Sequence, residues 1–590
     1  MKLRLSGINE RLFASKEISS IGTVGTMRIL RGKPTKLLNL FGRILSYTSI
    51  RSYGCFLLSF GLASLILNLS EYYFKEAPDV SFSSLVTGAV LALLAIPLLL
   101  FDKPISATVQ DFPPADKFFF EFLSLKRIQK KPDHISIHPM LALFLGFFPA
   151  LVAFFIPIEL VIVGLAVICI VALAFTSPEF SMIFTLIFLP YIPLLPHSVL
   201  ILCAMSVISF LSFALKVLIG KRVFHLCAFD VIVFSAMLLM FFGGITGNGE
   251  SSFKQSLVLI SLMLGYFPAS NIIVNRRLAD SATNAIVVSA IPITAVAIVE
   301  FILEMKNISI NPFSLSTEIT AFFPSPEALA AFMLVSAILT LTFTVEKKQG
   351  IKKGFYFCVF LAEVAVLGLV MRPESWMAAF VAALSYLIVK SRKIPADSLI
   401  VLIALPCLLF LIPSDLIDTV YGYLGITESF SDFKVGLVNS LNVFMDNPWL
   451  GIGRGKSAYF NTVGSDAALP ILNAPIGISM EFGALVFALI ALAAILRFRQ
   501  FSYYRLYLRS SSVCVIGEIS VVAIMALLSF GMLSYIFSDV SVFYLSGIVF
   551  AMSTATLRTS RKEFDDRFGY YGDSSSAELS AIDVGLNKNF

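Results

Sequence analysis

Charge is scarce in this sequence. Asp, Glu, Lys and Arg make up 14% of its 590 residues, where a soluble domain carries about a quarter. So few charges cannot coat a soluble surface. With 57% hydrophobic residues and a mean hydropathy of +0.88, the chain belongs to the multi-span membrane class. Histidine is nearly absent, with four residues at 134, 138, 197 and 225. His134 and His138 stand four apart, but Pro139 follows at once and the segment reads as a loop, so no metal centre is expected. The seven cysteines fall in separate apolar segments and form no CxxC pair. They read as small buried hydrophobes, with neither a disulfide frame nor a thiolate metal site.

Long polar stretches are equally rare. Only the N-terminal tail, 102–138 and 414–472 exceed short loops, and none suggests a soluble domain. The net charge of +6 gives no reason to expect a nucleic acid partner, because the excess sits beside the apolar runs. Residues 1–45 hold nine Lys or Arg against Glu10 and Glu17. That basic arm suits an anionic inner leaflet. It lacks the short apolar core and cleavage site of a signal peptide, so it is expected to stay on the mature protein.

Apolar runs are what the chain has in abundance. They lie at 54–73, 83–101, 139–157, 158–176, 178–196, 197–220, 226–247, 254–275, 281–303, 326–345, 353–371, 375–391, 397–413, 473–496, 515–536 and 540–557. At about 20 residues per span, the fold expected is all-α: a polytopic helix bundle of about 14–16 spans with one large extracytoplasmic loop. Pro190, Pro193 and Pro196 predict a broken or re-entrant segment over 178–196. The chain divides on this reading into a basic arm (1–53), N-terminal spans (54–250), a core (251–557, including loop 414–472) and a disordered tail (558–590).

The basic clusters give the orientation. Lys and Arg gather in the N-terminal arm and at 126–131, 221–222, 276–277, 347–353, 390–393, 497–499 and 558–562. Sixteen spans put all of them on one side, with both termini cytoplasmic. The opposite loops (74–82, 194–197, 248–253, 304–325, 372–374, 414–472 and 537–539) hold little Lys or Arg. Among the few they hold, Arg372, Lys434, and Arg454 with Lys456 are singled out as departures. Cations gathered in one outer region point to a shared anionic ligand.

Loop 414–472 predicts a helix from Ser431, as cap, to Asn447, stopped by Pro448, with Phe433, Leu437, Leu441 and Phe444 on one face and Lys434 beside them. Such a helix would rest on the membrane boundary or on the bundle. The segment DNPWLGIGRG (446–455) follows. Pro448 and Trp449 read as a rigid turn with an interfacial aromatic. Gly451, Gly453 and Gly455 let backbone approach a ligand closely. Arg454 and Lys456 bring charge, and an arginine fork matches phosphate oxygens. Acids inside spans are expected to face the bundle. Glu363 could pair with an arginine or hydrogen-bond to another helix; Asp230 and Glu518 lie nearer the inner ends of their spans, and Glu300 near an outer end.

Four segments in order resemble the O-antigen ligase and O-antigen polymerase family. FPSPEALAAF (323–332) resembles its NPNxLAxYL segment, MRPESWMAAF (371–380) its SRGAWLAL segment with Trp376 displaced by one, DNPWLGIGRG its PxxGxG segment, and LNAPIGISMEFG (472–483) its HNxxLxxxxxELG segment, with Asn473, Glu481 and Gly483 in register. The likeness covers about 250–500. It implies a glycosyltransferase in the bacterial cytoplasmic membrane, working at the outer face on glycan carried by undecaprenyl diphosphate. The glycan would pass to a sugar or surface acceptor, without nucleotide sugar, metal or other cofactor. Polysaccharide assembly proteins are possible partners. Arg372 and Arg454 would stabilise the leaving diphosphate. Asp446, Asp466 and Glu481 are candidate bases, and Lys434, Lys456, Gly451, Gly453, Trp449 and Asn473 would bind substrate. The family's histidine falls on Leu472, and an arginine that opens its amphipathic stretch has Lys434 as the nearest counterpart. The first departure points away from an ordinary ligase, toward a polymerase or a divergent or inactive member acting as an assembly partner. A flippase for lipid-linked sugars is the rival reading. It would carry polar residues across the full depth and often internal repeats, and neither is evident.

Overall fold

The computed structural model describes residues 16–18, 48–74, 82–123, 139–220, 222–246, 250–305, 319–346, 350–391, 394–395, 397–403, 405–406, 412–423, 430–454 and 473–568. Most of the basic arm, His134, His138, Gly455, Lys456, Asp466, Leu472 and the tail beyond Phe568 lie outside these residues. The protein is an all-α, multi-pass membrane bundle. Ten helices among the described residues are long and apolar enough to cross a membrane, and three shorter apolar helices accompany them. The helices Ile351–Leu369 and Pro373–Lys390 occupy two further apolar runs. The run at 397–413 yields a helix only over Ser398–Ile403 among the described residues. Among the described residues, two short antiparallel strands, Lys16–Ile18 and Phe224–Leu226, are the exception to helix.

Helix breaks follow local chemistry. The helix Pro178–Phe188 gives way to a 3₁₀ segment, Leu189–Leu194, which contains Pro190 and Pro193, as the prolines predict. The run at 254–275 is two helices, Glu250–Met263 and Tyr266–Ile272. The final helix, Val540–Phe568, continues past the 557 boundary that hydropathy suggests. Its polar extension is tied down. Arg561 pairs with Asp565, and the Glu563 carboxylate accepts from the Ser511 hydroxyl (2.9 Å) and the Ser512 amide (2.8 Å).

Packing divides the chain into two compact units. One comprises Ser19–Ser181 and Leu211–Arg222, the other Met1–Ile18, Met182–Phe210 and Val223–Phe590. The first is built on Ile50–Phe74 against Phe82–Leu99 and Pro139–Phe155, with Phe60, Ala150, Ala153 and Ile158 buried together. In the second, Pro326–Val345 and Cys514–Leu533 are the most enclosed, each 83% buried. Without water at that depth, polar side chains turn to local partners. Glu363 does so, accepting from the Ser336 hydroxyl (2.6 Å) and the Thr340 hydroxyl (2.8 Å) of the neighbouring helix.

Several basic residues at one end of this second unit are consumed by the fold. Arg505 donates to the carbonyls of Ile388 (2.8 Å), Val389 (2.9 Å), Ser391 and Ile394 (2.9 Å), closing the C-terminus of Pro373–Lys390. Lys390 pairs with Glu518 at 2.5 Å. Arg497 reads in the sequence as a flanking cation, yet it is wholly buried. Its guanidinium lies 3.8 Å from the Phe229 ring centroid and 4.4 Å from that of Phe550, and donates to Gln500 (2.6 Å) and Thr554. Two aromatic faces and two acceptors replace part of the water it gives up, while its Nε is buried without a hydrogen-bond partner.

Candidate functional site

The long helix Ala474–Arg509 is interrupted. Asn473 caps its start, its side-chain oxygen accepting from the Ile476 amide at 3.0 Å. At Gly483 the backbone leaves helical space (φ 84°, ψ 167°). In an unbroken helix the Met480 carbonyl would accept from the Ala484 amide, and the Glu481 carbonyl from Leu485. Here both carbonyls turn to another part of the chain. Ile452 N–H donates to Met480 O (2.9 Å) and Gly453 N–H to Glu481 O (3.0 Å), while Ala484 N–H donates to Pro448 O (2.8 Å). The segment Pro448–Gly453 thus rebuilds a missing turn. Polar backbone is tolerated in a bundle only when it is satisfied in this way.

The glycines are explained by that seating. A Cβ on Gly483 would lie 2.0 Å from the Trp449 carbonyl oxygen, and one on Gly451 would lie 2.6 Å from the Glu481 carbonyl. Both have positive φ, which an L side chain resists. The close approach that the GxGxG pattern suggests is therefore an approach to the broken helix.

The seated segment delivers Arg454 to the turn between the last two spans, where it donates to the Ser538 carbonyl at 2.5 Å. Behind it Tyr535 donates to the Glu481 carboxylate at 2.6 Å. Tyr535 is 8% and Glu481 4% exposed. Asp539 accepts from the Val542 amide (2.9 Å) and so caps the final helix. Burial pushes its carboxyl above the usual range, against the backbone amides and Arg454, which pull it down. Nothing in the sequence singled out Tyr535 or Asp539; an acid next to a span start reads as an ordinary cap.

Arg372 precedes Pro373, at the start of its helix, and pairs with Glu327 at 3.1 Å. Glu374 interacts electrostatically with both, and its Oε2 is buried without a hydrogen-bond partner. Met371 beside it has a φ of 52°, and Trp376 donates to the Leu367 carbonyl at 3.1 Å, so this turn is firmly held. The Lys390–Glu518 pair and the Arg505 cap fix the opposite ends of these helices. Arg372, Asn473, Glu481, Arg454 and Asp539 therefore share one end of the bundle. The Pro326–Glu346 helix packs on Ile536–Ser538 at this end.

The other sequence candidates are placed differently. The expected loop helix is present as Phe430–Asp446, but it buries Gly436 and Ser440, not the apolar stripe. Val435, Val438 and Met445 are exposed, as is Trp449 at 68%. Leu437 and Phe444 are half-buried and Leu441 is exposed. Small residues let this helix come close to Ala474–Arg509, leaving the bulkier ones on its open face. Lys434 donates to the Ile412 carbonyl at 3.3 Å. Asp446 is exposed at the helix end. Glu300 accepts from the Ala321 amide at 2.7 Å. Lys456 and Asp466 fall outside the described residues, and no group of three or more His, Cys, Asp or Glu that could hold a metal occurs among those described. No protein-family model and no curated protein matches this chain.

Proposed function

We propose that the chain is a membrane glycosyltransferase that polymerises or ligates glycan delivered on an undecaprenyl-diphosphate carrier, as a multi-pass protein of the bacterial cytoplasmic membrane with both termini inside. The observation that carries this reading is the interrupted span, with Arg454 held at its break beside Tyr535–Glu481 and Asp539. Interrupted spans bring backbone and charge to substrates within a bundle. Transfer from a lipid diphosphate needs cations for the departing phosphates and an acceptor for the incoming hydroxyl's proton. A guanidinium has five N–H donors, and Ser538 takes one from Arg454. Tyr535, its own proton directed at Glu481, has an oxygen that can accept from a sugar hydroxyl. Arg372 is already neutralised by Glu327, so on this reading it shapes the turn and adds less to phosphate binding than Arg454. The resemblance of four ordered segments to the O-antigen ligase and polymerase family supports the same chemistry.

The test is analysis of surface glycan in a deletion strain complemented with Arg454 variants at matched membrane levels. Shortened polymer identifies a polymerase, and unattached chains of normal length identify a ligase. Arg454→Ala should lower transfer by roughly 30- to 1000-fold, about 2–4 kcal/mol, with Arg454→Lys between it and wild type. Unchanged glycan in the deletion strain removes the proposal, and accumulation of inner-leaflet lipid-linked units replaces it with a flippase.

A further inference from the structure

A second feature lies apart from the broken helix, between Pro326–Glu346 and Ile351–Leu369. Glu363 is 0% exposed, and so are the Ser336 and Thr340 that it meets. A carboxylate so enclosed needs a cation or several donors. Among the described residues no charged side chain interacts with it. The charged residues of the helices packed against it stand toward their ends. They are Glu327 and Glu346 on Pro326–Glu346, Glu374 and Lys390 on Pro373–Lys390, and those up to Asp280 and from Glu300 onward on Arg276–Met305. On its own helix Lys353 comes ten residues earlier, about 15 Å along the axis. Tyr356, two turns away, donates to Asn284 at 3.1 Å. The two hydroxyls are therefore what the carboxyl has.

Those hydroxyls leave room for one more proton. Thr340 has a single hydroxyl hydrogen but two oxygens within reach, the Ser336 carbonyl (2.9 Å) and Glu363 Oε2 (2.8 Å). A charged carboxylate draws that hydrogen to itself and rests on two neutral donors alone. A neutral acid reverses the 2.8 Å contact. Its Oε2–H donates to Thr340, Thr340 donates to the Ser336 carbonyl, and the Ser336 hydroxyl donates to Oε1 at 2.6 Å. Each hydrogen then has its own acceptor, and no charge is buried.

We propose that Glu363 is a proton-binding site: the folded chain holds its carboxyl as a neutral acid whose hydrogen closes a ring with Thr340 and Ser336. The bound proton is a clasp between Pro326–Glu346 and Ile351–Leu369. The same two helices are tied again where Glu327 pairs with Arg372, just past the end of the second. Removing the proton leaves an uncompensated charge between them, which favours their separation. This assignment is independent of the glycosyltransferase reading.

Infrared spectra of the full chain at neutral pH, wild type against Glu363→Gln, test it. The glutamine keeps the ring, because its oxygen accepts from Ser336 and its N–H donates to Thr340. The difference spectrum should show a protonated-carboxyl C=O band from wild type and no lost carboxylate bands. Ser336→Ala removes the donor to that C=O and should move the band to higher frequency. Unfolding gives a second readout. In the unfolded chain a glutamate side chain is ionised above about pH 4.3, so the native state holds one more proton. Between about pH 6 and about pH 8 the wild-type folding equilibrium should therefore weaken by up to about tenfold per pH unit relative to Glu363→Gln. Carboxylate bands in the difference spectrum overturn the proposal, as does an equal response of both proteins to pH.

Discussion

The two ends of the larger unit use cations in opposite ways. At the end bearing Lys390, Arg497 and Arg505, positive charge is absorbed by the protein. Arg505 closes a helix with four carbonyls, and Arg497 sits between two phenyl rings. At the end bearing Arg454, the protein commits backbone instead. Three main-chain bonds and two crowded glycines hold a loop in place, and the arginine rides on its tip. Basic residues are plentiful at both ends, and the structure separates them by how far each is enclosed by its own fold.

Substitutions can break or sharpen this contrast. The largest effect is expected from Gly483→Val. A branched side chain cannot share space with the Trp449 carbonyl or adopt φ 84°, so about 3 kcal/mol or more of stability should go. Seating of the 448–453 segment should fail with it. Thermal unfolding in detergent reads the first effect and protease access to the loop the second. A variant as stable as wild type would show that the break is not needed.

Next is Arg497→Ala, which empties a place between two rings and takes from buried Gln500 the donor its side-chain oxygen accepts from. It should destabilise by about 2–4 kcal/mol, seen as a lowered Tm. Any glycan transfer by the surviving folded protein should be normal per molecule. A transfer defect at full stability would erase the distinction between the ends. Arg505→Lys should be milder, about 1–2 kcal/mol, since an ammonium cannot span the same four carbonyls; an unchanged Tm would mean that the cap is redundant. Glu363→Gln should change stability by less than about 1 kcal/mol. An amide oxygen can still accept from Ser336 or Thr340, and a larger loss would mark Glu363 as requiring its acid form.

These contrasts set the limits of what the sequence reveals. The spans are legible because burial in lipid demands long apolar runs, and the break after Phe188 is legible because proline forbids helix hydrogen bonds. The helix Phe430–Asp446 and its proline stop are legible from capping and period. The break at Gly483 is not. A glycine among apolar residues looks like an ordinary packing position, and its conformation depends on a segment some thirty residues earlier. Arg497 is misleading for a related reason. A cation at the end of a span satisfies the charge rule whether it reaches water or turns inward, and only the positions of Phe229 and Phe550 decide. Of the outer residues singled out, Arg372, Arg454, Asn473 and Glu481 come to one end together. Their partners Tyr535 and Ser538 come from a remote segment that carries no marker of its own, and Glu327 lies in the 323–332 segment without being singled out there.

The rebuilt turn also governs how this protein can vary through descent. Ile452, Gly453, Met480 and Glu481 meet through main-chain atoms, so most side chains in both segments can drift without loosening the join. What cannot drift is room: a missing Cβ at 451 and another at 483. Distant copies of such an arrangement would share little beyond two spaced glycines and a proline, a trace of shape in which the chemistry goes unrecorded.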